Sequence, residues 1–392
     1  MTKKILIIHH ASVVGGALIA LLGLIDELKK EYEVVVFSIF DGEGVPHLRK
    51  AGVKVVIPKA NFYHKRYSIF VHSEAAYFDV ISKWLKLKSL LSYFINKYFY
   101  ALPALQEHAE GVDIVYLNSA FISDWAFAAK KLKKKVVIHV REPLSRNFIG
   151  YNIIKKNIQK YCDKVISVSK DNASRLDLEH MTTVVYDPVV LKNRSINNDI
   201  LLDKNKKYFV YVGGDARIKG FEQLVNSLEY LDDNIRIFFL GGSTTYSNIP
   251  IKMIIRRFIN PYAKKHKHLH QKLKASNKII YVGLTDQVFS FYNKSCFLIS
   301  PFSKPHACLP VLESFSCKLP VIVSDIEGMD EIVDSSNGLF FRNNNPESLA
   351  KQINYAASIK EEKYFQMREN CFHKYRKMRE SEECVVDIVR EL

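Results

Sequence analysis

Between Pro301 and Gly338 the sequence places an acidic side chain and a run of backbone amides at the start of a predicted helix. The apolar run that ends at Ser300 is typical of a buried strand, and helical spacing of apolar residues resumes at Leu309. The N–H groups of residues 307–309 therefore lie at a predicted helix N-terminus, where oriented donors and the helix dipole stabilise a phosphate. The predicted anion site comprises Ala307, Cys308 and Leu309, with Pro310 in the first helical turn.

Glu313 lies one turn further into the same helix. A carboxylate would repel a phosphate, but it could accept hydrogen bonds from the two hydroxyls of an attached ribose, as acids do in other nucleotide sites. The segment therefore predicts a site for a nucleoside diphosphate. The alternative is a surface glutamate on an ordinary α/β helix.

A second loop carries two cations at the end of a predicted strand, Tyr208 to Val212. Arg217 and Lys219 lie between the glycine pair Gly213-Gly214 and Gly220. Because α/β sheets bind ligands at the carboxyl ends of their strands, either cation could neutralise a diphosphate leaving group. The alternative is a solvated loop.

The first half of the chain offers two further candidates. Gly15 and Gly16 enter a predicted helix, and glycines there let a ligand approach the backbone closely. The loop lacks the G-x-G-x-x-G pattern and a following ribose-binding acid, which argues against a nicotinamide dinucleotide. His139 ends a strand and is the best polar candidate of this half. A tight structural turn and a satisfied structural histidine are the respective alternatives.

Strand-like apolar runs alternate with helical patterns along most of the chain, which predicts an α/β protein with parallel sheets. The rhythm restarts at Tyr208 after a polar linker between Pro188 and Lys207, so two doubly wound domains are expected. We predict one domain over residues 1–195, another over 205–365, and a helix over 366–392 that returns toward the first domain.

Composition limits the class of protein. The 392 residues suffice for two domains without disulfides, and the six cysteines show neither pairing motifs nor zinc spacing. We therefore expect a reduced cytoplasmic location and no structural metal. The basic and apolar start is too short for a signal peptide and predicts a first strand.

The formal charge of +16 is unevenly distributed. No Asp or Glu occurs from Asn234 to Thr285, and such a basic block favours an anionic partner. From Phe62 to Tyr100, lysines and arginines alternate with aromatic residues, a composition that suits a lipid headgroup layer. Single-stranded RNA and a plain solvated surface are the alternatives. We rank the membrane surface first and expect no nucleic acid partner, because no RNP-like or helix-turn-helix pattern accompanies the charge. No segment has the ~20 uncharged apolar residues that a bilayer span needs.

The order of these motifs resembles that of family 4 glycosyltransferases of the GT-B fold, over nearly the whole chain. The most specific part is Val311-Leu312-Glu313-Ser314-Phe315, followed by Pro320-Val321-Ile322, Gly328, Glu331-Ile332-Val333 and Asn337-Gly338-Leu339. The other matching segments are Gly15-Gly16-Ala17, residues 139–143, residues 163–169, Val212-Gly213, Lys219-Gly220 and Gly283 of the nucleobase loop.

The resemblance implies two Rossmann-like domains that face each other across a cleft. It also implies that Lys219 holds the donor diphosphate, Glu313 the ribose and His139 the transferred sugar. Donor contacts are expected from Gly15, Gly16, Gly214, Arg217, Gly283 and the backbone of Ala307, Cys308, Leu309 and Pro310. The implied reaction is transfer from a nucleotide sugar with retention and without a metal or other cofactor, since cations and helix ends stabilise the leaving diphosphate.

The sequence departs from the family pattern at two positions. Pro305 stands where members usually have a second glutamate, with His306 beside it, and Gly214 replaces an arginine that follows the strand glycine. We expect different contacts to the sugar hydroxyls, and we hypothesise that Arg217 substitutes for the missing arginine.

The expected protein is a glycosyltransferase at the cytoplasmic face of a membrane, attached to an anionic surface. Its partners would be a nucleotide-sugar donor and a lipid-linked or envelope-glycan acceptor. The rival hypothesis is a non-catalytic glycan- or membrane-binding scaffold with the same fold, motivated by Pro305.

Overall fold

The computed structural model describes residues 2–10, 14–70, 83–146, 150–189, 202–242, 261–306, 308–380 and 384–392. The chain divides into two compact units. The amino-terminal unit contains residues 1–190 and 379–392, and the carboxy-terminal unit contains residues 191–378.

The amino-terminal unit is built on a parallel sheet of seven strands in the order β3-β2-β1-β4-β5-β6-β7. The strands are β1 Lys4–His9, β2 Glu33–Ser38, β3 Lys54–Val56, β4 Ile114–Leu117, β5 Lys135–Val140, β6 Lys164–Ser167 and β7 Thr182–Val184. The helices are α1 Gly16–Leu28, α2 Gly44–Lys50, α3 Asn61–Lys65, α4 Lys83–Ile95, α5 Ala101–Gln106, α6 Asp124–Lys131, α7 Tyr151–Tyr161 and α8 Lys170–Leu176. A π-helical turn, Asn96–Tyr100, joins α4 to α5.

The carboxy-terminal unit has a parallel sheet of six strands in the order β10-β9-β8-β11-β12-β13. The strands are β8 Lys207–Val212, β9 Ile235–Leu240, β10 Ile279–Gly283, β11 Phe297–Ser300, β12 Val321–Ser324 and β13 Gly338–Phe341. The helices are α9 Phe221–Ser227, α10 Pro261–Ala275, α11 Val288–Lys294, α12 Leu309–Ser316, α13 Pro346–Ala357 and α14 Glu361–Arg379.

A last helix, α15 (Val385–Arg390), belongs to the amino-terminal unit. Its residues Val385 and Val389 are buried in the same apolar cluster as Leu21 of α1. Arg390 pairs with Glu31 at 2.6 Å between Nη2 and Oε1. Apolar burial and an ion pair therefore hold the end of the chain on the unit that its beginning forms.

Apolar clusters cover both faces of the first sheet, because successive strand residues point to opposite sides. Leu6 and Ile8 lie in one cluster, and Ile5 and Ile7 lie in the other. Two parallel α/β sheets of Rossmann-like type confirm the predicted fold class. The predicted strands are present, and the short edge strand β7, whose residues are only half-buried, was not predicted.

The aromatic and basic stretch divides between core and surface. Tyr63, Phe70 and Tyr93 are at most 2% exposed, and Lys97 is buried with its Nζ donating to Asn157 at 2.6 Å. These residues therefore cannot contact lipid headgroups as the sequence predicted. Residues 71–82 of this stretch lie outside the described residues. The exposed side chains form what we call the apolar strip: Leu87, Leu91, Ile95, Tyr98 and Phe99.

The described part of the acid-free stretch lies largely on α10. Lys265 pairs with Glu222, and Lys278 pairs with Asp233 at 2.7 Å, so acids from outside the stretch offset part of its charge. Four further lysines are exposed on α10: Lys264, Lys267, Lys272 and Lys274. Residues 243–260, with Lys252, Arg256 and Arg257, lie outside the described residues.

Where the structure describes helices, none is both long enough and apolar enough to cross a membrane. All six cysteines are free thiols.

Candidate functional site

In the carboxy-terminal unit, the loop after β8 packs tightly against the loop after β9. Gly214 has a positive φ of 58°, and a Cβ there would lie 2.2 Å from the carbonyl oxygen of Gly242. Its own N–H donates to the oxygen of Leu240 at 2.9 Å. Only glycine fits this position, so backbone packing explains Gly214 whether or not it also contacts a donor.

The same loop is fixed to the end of β11 at its other side. Gly220 has a φ of 78°, and a Cβ there would lie 1.6 Å from the carbonyl oxygen of Pro301. Ser303 donates from its backbone N–H to the oxygen of Ile218 at 2.9 Å. These contacts bring Lys219, which immediately precedes Gly220, next to the segment that leads into α12.

Lys219 acts electrostatically on three groups of that segment. Its charge lowers the pKa values of His306, Cys308 and Glu313, although burial is the largest influence on each. Burial keeps the Cys308 thiol protonated by raising its pKa to about 12. The structure therefore brings together two residues that the sequence predicted from separate motifs, Lys219 and Glu313.

Glu313 is partly buried on α12 and is hydrogen-bonded through its carboxylate. The phenol of Tyr292, on α11, donates to Oε2 at 2.9 Å. Burial raises the pKa of Glu313 to about 7, while this hydrogen bond and the charge of Lys219 lower it. A carboxylate held in this way is suited to accept hydrogen bonds from vicinal hydroxyls, since each of its oxygens has two lone pairs.

His306 is a site residue that the sequence did not single out as a ligand contact. Its ring stacks on Phe302 with centroids 4.9 Å apart, and burial lowers its pKa to about 4, so the imidazole is neutral near pH 7. In the part of the chain that the structure describes, its buried Nδ1 has no hydrogen-bond partner. This unpartnered nitrogen makes His306 a candidate ligand contact.

The predicted phosphate-binding helix begins as the sequence indicates. Cys308 is the N-cap of α12, no side chain caps it, and the first turn contains no acidic residue. Pro310 occupies the first turn and has no N–H, so it positions the helix start and donates no hydrogen bond. Among the described residues, the amides at this helix start that can bind an anion are those of Cys308 and Leu309. Ala307, which was also predicted to contribute, lies outside the described residues.

Two other predicted donor contacts lie on neighbouring loops. The guanidinium of Arg217 lies 4.4 Å from the ring centroid of Tyr262, so a cation–π contact orients it toward α10. Gly283 ends β10 with a φ of 79° and accepts from the N–H of Gly241 at 2.8 Å. Leu284, which follows, is 84% exposed and supplies apolar surface at the predicted nucleobase loop.

In the amino-terminal unit, His139 is buried on β5 with one satisfied nitrogen. Its Nδ1 lies 2.6 Å from the phenol oxygen of Tyr116 and 3.3 Å from Nη2 of Arg141. Because a guanidinium only donates, Nδ1 carries no proton and the proton lies on Nε2. Burial, followed by the charge of Arg141, holds the pKa of His139 well below its usual value. Within the described ranges the buried Nε2 has no hydrogen-bond partner. A purely structural histidine would therefore explain the hydrogen bonds at Nδ1 but not the buried, unpartnered Nε2.

Arg141 connects His139 to a polar network at the carboxyl ends of β1, β4 and β5. Its Nε donates to Asn118 at 2.8 Å, and its Nη1 pairs with Asp187. Asn118 in turn lies 3.1 Å from Nδ1 of His9. The sequence analysis missed Asn118 and Asp187. The position of Asn118 directly after a strand could have identified it, whereas Asp187 becomes visible only in three dimensions.

Gly15 and Gly16 start α1 without steric need for glycine. Gly15 has extended backbone angles, neither residue has a positive φ, and a Cβ at either position would meet no atom within 4 Å. Neither residue therefore has the left-handed backbone conformation that makes glycine necessary in a turn. No side chain caps this helix and its first turn lacks acidic residues, so the open space leads to backbone donors. Residues 11–13 lie outside the described residues.

The predicted site residues thus form two groups, one in each unit. Lys219, Glu313, Cys308, Leu309 and Pro310 lie together in the carboxy-terminal unit, with Arg217, Gly214 and Gly283 on adjoining loops. His139, Gly15 and Gly16 belong to the amino-terminal unit.

The chain is similar to known glycosyltransferases. Residues 192–374 match the family described as glycosyl transferases group 1. An uncharacterized glycosyltransferase of Methanocaldococcus jannaschii is 26% identical over 272 residues, which make up 67% of this chain and 70% of that protein.

Two solved structures are similar over almost the whole chain. Anabaena HepE, in complex with UDP and glucose, has a TM-score of 0.75 at 14% identity, with 100% of both chains covered. WaaG, a glycosyltransferase involved in lipopolysaccharide biosynthesis, has a TM-score of 0.60 at 11% identity, with 99% of this chain and 97% of that chain covered. The protein therefore has the GT-B fold, and residues 192–374 are similar to the group 1 glycosyltransferase family.

Proposed function

We propose that this protein transfers a sugar from a nucleotide-diphosphate sugar, with retention at the anomeric carbon, to a lipid-linked or envelope-glycan acceptor. The observation that carries the proposal is the packing of the loop that contains Lys219 against the segment that leads into the uncapped start of α12 and Glu313, within residues that match the group 1 glycosyltransferase family. A cation and helix amides suit a diphosphate, and a hydrogen-bonded carboxylate suits the ribose next to it.

The proposed chemistry uses protein charges to stabilise the leaving diphosphate. The ammonium of Lys219 and the amides at the start of α12 offset negative charge as the bond between sugar and phosphate breaks, which is electrostatic stabilisation by preorganised groups. No metal ion is required in this scheme. The neutral His306 offers its unpartnered Nδ1 as an acceptor for a sugar hydroxyl, in place of the glutamate that Pro305 replaces.

For the amino-terminal unit, we propose that Nε2–H of His139 donates to the transferred sugar. Its proton is fixed by the donors on Nδ1, and an unsatisfied buried donor costs roughly 1–3 kcal/mol that a ligand would recover. Replacing His139 by Ala should lower turnover and weaken affinity for the intact nucleotide sugar, but it should leave affinity for the free nucleoside diphosphate unchanged, because this hydrogen bond goes to the sugar alone. The exposed His64 provides the matched control.

A thermal-shift screen against uridine, guanosine and adenosine sugar nucleotides tests the donor. Uridine sugars come first, because HepE was solved with UDP. Slow release of free nucleotide from the stabilising donor, lost in Glu313→Ala and Lys219→Ala but kept in the exposed control Glu362→Ala, supports the transferase. Absence of turnover with every donor would favour the non-catalytic scaffold.

We further propose that the protein lies at the inner face of a membrane, on the cytoplasmic side, and contacts anionic lipid through the apolar strip. Leu87, Leu91 and Ile95 recur every four residues and are 39–54% exposed, which places them on one face of α4. The chain from Lys83 to Gln106 contains lysines and no acidic residue. An exposed apolar face with cationic neighbours is suited to an anionic interface.

Flotation with anionic and neutral vesicles tests the membrane contact. Wild-type protein should float with anionic vesicles, and Phe99→Ser should reduce the bound fraction several-fold. Phe365 is the matched control, since it is 64% exposed in the other unit against 71% for Phe99. A wild-type protein that stays in the supernatant at physiological salt contradicts the proposal.

A further inference from the structure

A cluster of three side chains, Asp215, His266 and His270, lies at the loop that carries Lys219. Asp215 lies in the loop after β8, two residues before Arg217. His266 and His270 lie four residues apart on α10, so both rings project from one face of the helix. Each residue offers one potential ligand atom, and these three atoms all lie within 4.8 Å of one another.

The distances suit a single small cation. Oδ2 of Asp215 lies 3.0 Å from Nε2 of His270 and 3.6 Å from Nε2 of His266. Nitrogen and oxygen ligands at ~2.0–2.1 Å from a tetrahedral zinc ion are about 3.3–3.4 Å apart. These two separations bracket that value, and the separation between the two imidazole ligand atoms is at most 4.8 Å.

The surroundings of the cluster also favour metal binding. The side chains of His270, His266 and Asp215 are 5%, 11% and 17% exposed, and the ring of Phe221 packs against both imidazoles with centroids 5.0 and 5.3 Å away. An apolar wall that limits water access strengthens such a site.

We propose that Asp215, His266 and His270 bind a zinc-class divalent cation, with water as the fourth ligand, and that the ion fastens α10 to the loop after β8. Without the ion, Nε2 of His266 donates to the backbone oxygen of Asp215 and Nε2 of His270 donates to its carboxylate, both at 3.0 Å. When the metal binds, each imidazole coordinates through Nε2 and carries its proton on Nδ1, so these two hydrogen bonds are exchanged for metal–ligand bonds. The sequence analysis predicted no structural metal. That prediction considered the spacing of the cysteines, whereas the proposed ligands are one aspartate and two histidines.

Metal binding is measured on the full chain after chelation and dialysis, with ZnCl₂ titrated by calorimetry and content determined by mass spectrometry. We expect one equivalent per chain and a rise in Tm with zinc. Co²⁺ in place of zinc should give the visible absorption bands of a tetrahedral site.

Variants distinguish this site from general histidine binding. His270→Ala and Asp215→Asn should each weaken zinc affinity at least tenfold, whereas His268→Ala, which removes an exposed histidine from the same helix, should leave it unchanged. Asp215→Asn retains a hydrogen-bonding side chain, and circular dichroism establishes that each variant is folded. Failure of wild-type protein to bind one equivalent, or equal binding by folded Asp215→Asn, would overturn the proposal.

A second readout connects the ion to the donor and rests on the proposed function. Because Asp215 precedes Arg217 and Lys219 in the same loop, zinc removal should weaken donor affinity in wild-type protein and not in Asp215→Asn. If zinc binds but a measurable donor affinity does not change, the metal site stands and the proposed coupling between the ion and the donor is rejected. Zinc binding without any donor binding retains the metal site and rejects the proposed function.

Discussion

The phenol oxygen of Tyr292 lies 2.9 Å from Oε2 of Glu313, and the hydrogen bond joins α11 to α12. Burial raises the pKa of Glu313 to about 7, and Tyr292 is the first of the two groups that lower it. Tyr292 is therefore a positioning residue, which orients the carboxylate and favours the charged form that accepts ribose hydroxyls.

Tyr292→Phe should make donor binding depend more strongly on pH. Removal of the hydrogen bond raises the pKa of Glu313 above about 7, so a larger fraction of the carboxyl is protonated at neutral pH. We expect donor affinity to fall roughly five- to tenfold at pH 7, since one unit of pKa is about 1.4 kcal/mol. The deficit should shrink toward pH 9, where the carboxyl is charged in both proteins.

The measurement is a titration of donor by calorimetry between pH 6 and pH 9. Tyr355→Phe, on α13, is the control for loss of a tyrosine hydroxyl elsewhere in the unit. A Tyr292→Phe deficit that stays constant across this range would show that the hydrogen bond does not govern the ionisation of Glu313.

Lys219 and Arg217 should differ in their effects on the donor. Lys219→Ala removes the charge next to Glu313, and a charge-assisted hydrogen bond of ~1.5–3 kcal/mol corresponds to a loss of roughly 10- to 150-fold in affinity. If Arg217 replaces the arginine missing at Gly214, Arg217→Ala should cost about tenfold. The exposed Lys264, on α10, is the control for loss of a cation.

Unchanged affinity and turnover in Arg217→Ala, together with their loss in Lys219→Ala, would reject the substitution hypothesis. Arg217 would then serve to hold the loop against Tyr262.

Replacement by alanine should affect stability at Gly220 and turnover at Gly16. Gly220→Ala introduces a Cβ 1.6 Å from a backbone oxygen at a φ of 78°, so we expect a loss of at least roughly 2 kcal/mol in unfolding free energy. Gly16→Ala meets no atom within 4 Å and should leave stability unchanged, but it should weaken turnover if a ligand approaches the backbone there. Chemical denaturation and donor turnover measure the two effects. A turnover-neutral Gly16→Ala would reject the ligand role of that glycine.

Asp124 should make the amino-terminal unit less stable as pH rises. Burial raises its pKa to about 7 in the folded protein, against about 4 in an unfolded chain. The folded state therefore binds the proton more tightly, and the stabilisation by this proton is complete below about pH 4 and lost as pH approaches 7.

Asp124→Asn should remove that dependence and raise Tm at pH 8, while retaining an acceptor for Tyr67 and Asn96. The exposed Asp41 provides the control, Asp41→Asn. The comparison requires melting curves at pH 5 and pH 8, and equal changes in Tm with pH in wild type and Asp124→Asn would contradict the prediction.

The sequence predicted strands well, because buried parallel strands are continuous apolar runs such as Ile114–Leu117. The sequence also singled out Lys219, in the loop after a predicted strand, and Glu313, one turn into the helix that follows another strand. It could not predict the partners of these groups. Tyr292 lies 21 residues before Glu313 and Tyr116 lies 23 residues before His139, and only tertiary packing determines which distant side chains meet.

Burial was the property most often misjudged from sequence. Tyr63 and Tyr93 share their composition with surface aromatics, yet they pack in the core with Trp125 and Ser123. The π-helical turn that contains Lys97 directs this lysine inward to Asn157. A sequence in which charged and aromatic residues alternate does not show which side of the helix packs against the protein core.

The position of α15 constrains how the protein is made and divided. During synthesis on a ribosome, all of the carboxy-terminal unit emerges before the segment that completes the core around Leu21. The first unit to begin folding is therefore the last to be finished, and until then it leaves apolar surface of α1 uncovered. A single proteolytic cut between the units cannot yield an intact amino-terminal fragment, because that fragment needs residues 379–392 supplied as a separate peptide or by a fused linker.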